Sequence, residues 1–254
     1  MSSGWVQRLK DEAAQAVAVA VKDTRIYYLQ PPMIMFGLLL PFFLFFSFSV
    51  KRDIGAEVGL ARLLALTTFF TASSAGPVIV PLEQRSGTYD RLLAAPMSLV
   101  TLLLGKALVG AVFAIVVSLV PLLVAVLALH VTVSSVGLLL AGVVLASLAF
   151  SAFGLLFASF PTQNVGNIMM PSTLIRWPLL FISGIFVPLA ELAPWARALA
   201  YLSPLTYAQD VLNHAVLGTG YLPVWLGVGL LPVLLVGLLI AAARLHRRSR
   251  VLGI

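Results

Sequence analysis

Long apolar runs separated by short polar segments form the main pattern of this chain. A helix needs about 20 mostly apolar residues to cross a bilayer, and six runs approach or exceed that length. They cover residues 33–50, 58–81, 99–128, 136–160, 166–188 and 222–243. The pattern therefore predicts an all-α integral membrane protein with six transmembrane helices.

The segment before the first run, residues 4–30, has the pattern of an amphipathic helix. Apolar side chains recur at four-residue spacing, at Trp5, Leu9, Ala13, Val17 and Val21, and charged residues occupy the other faces. We expect a helix that lies in the membrane interface and ends at Gln30-Pro31-Pro32; the alternative is a soluble tail. Residues 5–29 lack the apolar core of a signal peptide, so none is expected.

A polar island, residues 83–96, lies between the second and third runs. It holds Glu83, Arg85, Asp90 and Arg91 within nine residues. If it is helical from Ser86, its apolar side chains gather on one side, namely Tyr89, Leu92, Leu93 and Pro96. The island is therefore predicted to be a small amphipathic element at the membrane surface, whose apolar side meets lipid or a partner protein. A solvated turn is the alternative.

Composition supports the membrane assignment. The chain is 61% hydrophobic and 10% charged, whereas soluble domains are about a quarter charged. The net charge of +7 is explained by cations that flank membrane helices on the cytoplasmic side. No basic patch with interleaved aromatic residues occurs, so no nucleic-acid partner is expected. The absence of cysteine excludes disulfides, thiolate metal sites and thiol catalysis.

The distribution of cations predicts the orientation. With six spans, eleven of the sixteen lysines and arginines fall on the side that carries both termini and the island. Four fall on the other side, and Arg176 lies within the fifth span. Both termini and the island are therefore predicted to be cytoplasmic, in a multi-pass protein of the cell membrane.

Residues that would carry catalysis are scattered. His130, His214 and His246 belong to different polar segments, and no catalytic or metal-binding motif occurs. The Gly105-Lys106 pair lacks the earlier glycine of a phosphate-binding loop. We therefore expect no enzyme activity from this chain alone, no catalytic residue, and no metal or cofactor bound by it. Energy from a nucleotide must come from another polypeptide.

Two motifs resemble the ABC-2 type permeases, a family that includes the daunorubicin-resistance and nodulation-factor exporters. The first is EQRSGTYDRLLAAP at residues 83–96, followed by Gly105-Lys106, which is similar to the cytoplasmic signature of that family. The second is FISGIFVP at residues 181–188, followed by Pro194-Trp195 and by SPLTY at residues 203–207. It is similar to the family's fifth helix and the extracellular segment after it.

The resemblance implies a single transmembrane domain over residues 1–254. It contains an interface helix at 4–30, six spans, a cytoplasmic coupling helix at 83–96 and extracellular re-entrant helices at 189–221. A plain extracellular loop is the alternative for the last segment. The resemblance also implies that two permease subunits, identical or different, assemble with two cytoplasmic ATPase subunits, which bind ATP and Mg and usually drive export.

The sequence offers candidate residues for three sites. Contact with the ATPase is expected from the polar island, at Glu83, Arg85, Gly87, Tyr89, Asp90 and Arg91. A substrate path is expected at Arg176, Phe42 and Phe45; for Arg176 the alternative is a structural partner of a helix-end carbonyl or an acid. An outer gate is expected at Trp195, Tyr207 and Asp210, although Asp210 could instead cap a short helix. Lys106 is expected to snorkel to the headgroups.

Together with these features, the resemblance implies the permease subunit of an ATP-binding cassette exporter that moves an amphipathic, drug-like or lipidic substrate outward. Alternatives within the class are an exporter of a lipid-linked glycan or of ions. From other classes, a secondary carrier or channel and a membrane enzyme remain. A carrier usually needs carboxylates within its spans, and most spans here have none.

Overall fold

The structure is a computed structural model that describes residues 2–27, 31, 35–49, 55–95, 97–160, 162 and 164–251. Some predictions lie outside these residues. They are the helix break at Gln30 and Pro32, the ends of the first span at residues 33 and 50, and Pro96 at the end of the island.

The described residues are helical and contain no strand. The α-helices are α1 Ser2–Tyr27, α2 Leu40–Ser49, α3 Ala56–Arg85, α4 Thr88–Ala94, α5 Leu99–Leu127, α6 Val136–Ala158, α7 Val165–Ile182, α8 Pro194–Ala200, α9 Pro204–Leu217 and α10 Val224–Val251. A π-helical turn, Met35–Leu39, leads into α2, and a 3₁₀ turn, Leu189–Glu191, precedes α8. The all-helical prediction is confirmed.

Five helices are long and apolar enough to cross a membrane: α3, α5, α6, α7 and α10. The predicted first span corresponds to a shorter apolar helical segment over residues 37–47. The count of six spans therefore stays a prediction.

The central helix is α3, which packs against α5, α6 and α9 and whose apolar window is entirely buried. Small residues let its neighbours approach closely. A Cβ added to Gly154 of α6 would lie 2.3 Å from the carbonyl oxygen of Ser73. The Ser73 and Ser74 hydroxyls donate to carbonyls one turn earlier in α3. The polar groups of α3 are thus largely satisfied without opening the bundle.

The predicted re-entrant segment, residues 189–221, is built from pieces too short to span a bilayer. They are the 3₁₀ turn, α8 of seven residues and α9 of fourteen residues. Most of α9 is buried against α3, α6 and α10. The plain-loop alternative does not describe this helical segment, whereas re-entry from outside stays a prediction.

Candidate functional site

Four charged side chains meet where α1, α3 and α5 converge, and we call this group the charge cluster: Lys22, Asp23, Glu83 and Lys106. The Lys22 Nζ lies 2.7 Å from Asp23 Oδ1 and also pairs with Glu83. The Lys106 Nζ lies 3.2 Å from Asp23 Oδ2 and also pairs with Glu83. Asp23 and Glu83 are fully buried. Two cations face two carboxylates, so the cluster can be buried without leaving a charge unpaired.

The protonation of Lys22 follows from these contacts. Burial by itself lowers the pKa of Lys22, but hydrogen bonds and attraction to Asp23 and Glu83 outweigh it. The pKa of Lys22 is therefore raised above its ordinary value. The side chain carries its positive charge at neutral pH, as pairing with two carboxylates requires.

The expectation that Lys106 snorkels to the headgroups is wrong. Its side chain is 2% exposed and turns inward to Asp23 and Glu83. The reason is that α1 supplies a carboxylate 83 positions away in sequence, which the spacing around Lys106 could not reveal. An inward ion pair thus replaces contact with lipid headgroups.

Gly105 explains how α1 reaches Lys106. A Cβ at Gly105 would lie 2.8 Å from the carbonyl oxygen of Ala16 and 2.9 Å from the Cβ of Val19. Any side chain at this position would therefore push α1 away from α5. Gly105 thus allows α1 and α5 to pack closely, and this packing brings Lys106 to Asp23.

The polar island contains the amphipathic helix predicted from its sequence. After α3 ends at Arg85, Gly87 adopts a left-handed conformation with φ of 66° and leads the chain into α4. Tyr89 is buried and belongs to an apolar cluster that Leu92 and Leu93 pack against. The prediction of a helix with one apolar side is confirmed over Thr88–Ala94, which a solvated turn does not describe. The place of this helix at the membrane surface stays a prediction.

The residues predicted to contact an ATPase fall into two groups. Arg85, Asp90 and Arg91 are exposed and Gly87 is half-buried, so these can meet a partner. Glu83 and Tyr89 are buried, which corrects their assignment to an outer contact. Glu83 binds the two lysines of the charge cluster. The Tyr89 ring lies 5.8 Å from Lys106 Nζ and therefore fixes α4 to the bundle.

His246 of α10 joins this end of the molecule, and sequence reasoning missed it. Its ring lies 6.0 Å from the Tyr89 ring, and its Nδ1 lies 2.7 Å from Ser159 Oγ at the end of α6. His246 is buried. Its position in a basic, polar-looking tail gave no sign of these contacts. The ends of α6 and α10 are thereby joined to α4.

Arg176 lies in α7 and binds the middle of α3. Its Nη1 lies 3.2 Å from Ser74 Oγ, and its Nη2 donates to the carbonyl oxygen of Ser73. That carbonyl lacks its helical donor because Pro77, four residues later, has no N–H. This contact supports the structural alternative for Arg176, with a proline-freed carbonyl in place of a helix-end one. A substrate-path role stays a prediction.

Phe42 and Phe45 lie apart from Arg176. Both are half-buried and line an apolar cavity of about 350 Å³ between α2, α3 and α5. Pro121 and Leu129 form part of its wall, and Arg176 does not. The structure therefore does not bring the three predicted path residues together.

The outer-gate residues have different surroundings. Asp210 is buried and accepts hydrogen bonds from the backbone N–H groups of Tyr221 at 2.6 Å and Leu222 at 3.1 Å. Burial raises the pKa of Asp210, and the two N–H donors and nearby His214 oppose the rise. Asp210 thus holds the turn ahead of α10, which supports its capping alternative.

Of the other two predicted gate residues, Tyr207 is held by a hydrogen bond and Trp195 is exposed. The Tyr207 hydroxyl donates to the carbonyl of Tyr201 at 2.6 Å, whereas Trp195 is 69% exposed. Arg197, to which the sequence assigned no role, donates to the carbonyls of Leu189, Ala190 and Leu192. Hydrogen bonds therefore hold most of the outer segment in shape, and gating stays a prediction.

Among the described residues, no group of three or more histidine, aspartate or glutamate side chains is placed to hold a metal ion.

Comparison with known proteins points to one family. A family model described as ABC-2 type transporter matches residues 15–217. Similar proteins include the inner membrane transport permease YadH of Escherichia coli strain K12 and that of Shigella flexneri. Each is 29% identical over 107 residues, which is 42% of this chain and 41% of the relative. The match thus spans less than half the length of these relatives.

Proposed function

The chain belongs to the ABC-2 type transporter family, and on this premise we propose that it is the permease subunit of an ATP-binding cassette exporter. A separate cytoplasmic ATPase hydrolyses ATP, and two permease subunits form the route across the membrane. Both termini and α4 face the cytoplasm, in agreement with the excess of cations on that side. The substrate is amphipathic, drug-like or lipidic and moves outward.

The observation that carries this proposal is the two-faced environment of α4. Its exposed side, with Asp90 and Arg91, offers charges to a soluble partner. Its buried side places Tyr89 beside Lys106 and His246. A push on the exposed side therefore reaches α5 and α10 through packed side chains.

The charge cluster extends the same connection to α1 and α3. Removing one member of a buried ion pair leaves an uncompensated charge, which costs about 3–5 kcal/mol. Sliding α1, α3 and α5 past one another would separate these pairs. The three helices and α4 therefore move as one body when the ATPase closes on nucleotide.

The apolar cavity supports the proposed class of substrate. A space of about 350 Å³ lined by Phe42, Phe45 and aliphatic side chains suits an apolar group far better than an ion. This favours a drug-like or lipidic cargo over the ion exporter considered among the alternatives.

Charge reversal on α4 tests the proposal. The wild-type chain, purified gently from its native membrane, should retain an ATPase subunit. Arg91→Glu should lose it, because a carboxylate would face the partner surface that accepts the guanidinium. Arg91→Lys keeps the charge and is the matched control. Equal retention of the ATPase by wild type and Arg91→Glu would contradict the assigned contact.

A further inference from the structure

A groove runs between the start of α5 and the end of α10, on the side of the charge cluster. It encloses about 400 Å³. Its walls are apolar and consist of Val100, Leu103, Leu104, Val236, Leu239, Ile240 and Ala243. Leu104, Val236 and Ile240 are exposed, so the groove opens laterally. It is therefore accessible from the surrounding membrane.

Two arginines close one end of this groove. Arg244 and Arg247 line it and stand three residues apart on α10, so they share a face of the helix. Both are exposed. Among the residues that the structure describes, neither forms an ion pair with a carboxylate. The groove thus combines an apolar length with two cations at its mouth.

The depth of the arginines matches that of lipid headgroups. The candidate span of α10, Val224–Arg247, has 24 residues, about 36 Å at the helical rise. The hydrocarbon core is about 30 Å thick. The apolar walls therefore face hydrocarbon while Arg244 and Arg247 reach the headgroup region.

We propose that this groove binds one anionic phospholipid, with an acyl chain along the apolar walls and the phosphate between Arg244 and Arg247. Guanidinium groups bind phosphate oxygens in a bidentate manner. In an anionic headgroup the negative charge of the phosphate is available to the arginines. In a zwitterionic headgroup a cationic group competes with the arginines for the phosphate. The site goes beyond the proposed function, because binding requires neither the ATPase nor a cargo.

The bound lipid sits next to the connection between α4 and the bundle. Leu239 of the groove packs against the apolar cluster that contains Tyr89. His246, which lies between Arg244 and Arg247 in sequence, contacts Ser159 and lies beside the Tyr89 ring. An anionic lipid that holds α10 against α5 would therefore also steady the buried side of α4.

Native mass spectrometry of the chain in nanodiscs tests this site. The probes are phosphatidylglycerol and phosphatidylcholine with identical acyl chains. Wild type should retain one phosphatidylglycerol in preference to phosphatidylcholine. At about 1 kcal/mol for each basic residue near an anionic surface, Arg244→Gln/Arg247→Gln should bind phosphatidylglycerol about 30-fold more weakly. Arg244→Lys/Arg247→Lys should keep most of the preference.

Two further variants separate the groove from general electrostatics. Ala243→Phe keeps both arginines but fills the groove, and should lose the retained lipid. Lys10→Gln/Arg25→Gln removes the same amount of charge from the exposed surface of α1, and should retain it. If Ala243→Phe does not fold, the glutamine and lysine pairs decide the matter.

Three results would overturn the proposal. They are equal retention of the two lipids by wild type, unchanged retention by the glutamine pair, and equal loss in the α1 control. If the glutamine pair instead changes the oligomeric state while lipid retention stays the same, the groove is a contact between copies of the chain. None of these results bears on whether an ATPase binds α4.

Discussion

At the scale of single residues, the charge cluster depends on balance. Lys22 and Lys106 face Asp23 and Glu83, and three of the four side chains are almost fully buried. Attraction between buried charges offsets the cost of removing them from water only while each has its partners. Loss of one member should therefore cost more than loss of a matched pair.

Lys106→Met should lower the free energy of unfolding by about 3–5 kcal/mol, because Asp23 and Glu83 would keep only Lys22. Denaturation in detergent measures this. The double variant Lys106→Met/Glu83→Gln should cost less than the sum of its single changes. Lys10→Met, at an exposed site on α1, is the control. Equal costs for Lys106→Met and Lys10→Met would count against the buried cluster.

Arg176 allows a sharper test through the proline that frees its acceptor. In a Pro77→Ala background the Ser73 carbonyl regains a helical N–H donor. Arg176→Met should therefore destabilise that background less than it destabilises the wild type, with a coupling of about 0.5–3 kcal/mol. Pro81→Ala is the matched control, because the missing N–H of Pro81 leaves the carbonyl of Pro77, and not that of Ser73, without its helical donor. Strict additivity with Pro77→Ala would argue against the structural role.

Asp210 gives a dependence on pH. Because burial raises its pKa in the folded protein, the folded state keeps a proton that the unfolded state has already lost above about pH 4. Its contribution to stability therefore decreases as pH rises from about 4 through the raised pKa. Unfolding of wild type and Asp210→Asn should be measured at several pH values. As pH rises through this window, the free energy of unfolding of wild type should decrease relative to that of Asp210→Asn. A constant difference would contradict the shift.

At the scale of elements, α4 and the contact between α1 and α5 position the site. The seven residues of α4 present charges on one side and Tyr89 on the other. Helix α1 lies against α5 because Gly105 has no side chain. These two short motifs therefore fix the position of α4 against the bundle and that of α1 against α5.

Gly105→Ala should destabilise the protein by about 1–3 kcal/mol, because the added Cβ meets the backbone of α1. Gly229→Ala is the matched control, since Gly229 also lies in a long helix and an added Cβ meets nothing within 4 Å. Thermal unfolding of the two variants measures the difference. If Gly105→Ala behaves like Gly229→Ala, the close approach of α1 is wrong.

The elements also separate what the sequence could predict from what it could not. Apolar length predicts α3, α5, α6, α7 and α10, and the four-residue pattern predicts the helix at the N-terminal end. The pairing of Lys106 with Asp23 and that of Arg176 with Ser74 escaped prediction because the partners lie 83 and 102 positions apart in sequence. Pairing across helices depends on packing, which a single sequence does not encode in any local spacing.

At the scale of the whole molecule, polar contacts concentrate at the two ends of an apolar bundle. The charge cluster, Tyr89 and His246 occupy one end, and Asp210 with the turn before α10 occupies the other. Arg176, which binds Ser73 and Ser74 of α3, is a polar contact between them. Exposed apolar faces, such as that of α7 with Met170 and Leu174, meet lipid or the second permease subunit of the proposed assembly.

A push on α4 should move α1, α3 and α5 together through the charge cluster. Because the chain has no cysteine, spin labels can be placed through introduced cysteines at exposed Ala94 of α4 and Leu174 of α7. In the complex with its ATPase, the distance between the labels should change when ATP binds. In Glu83→Gln the ATPase should remain bound but the change should disappear. A change of the same size in Glu83→Gln, or none in the wild type, would contradict the account.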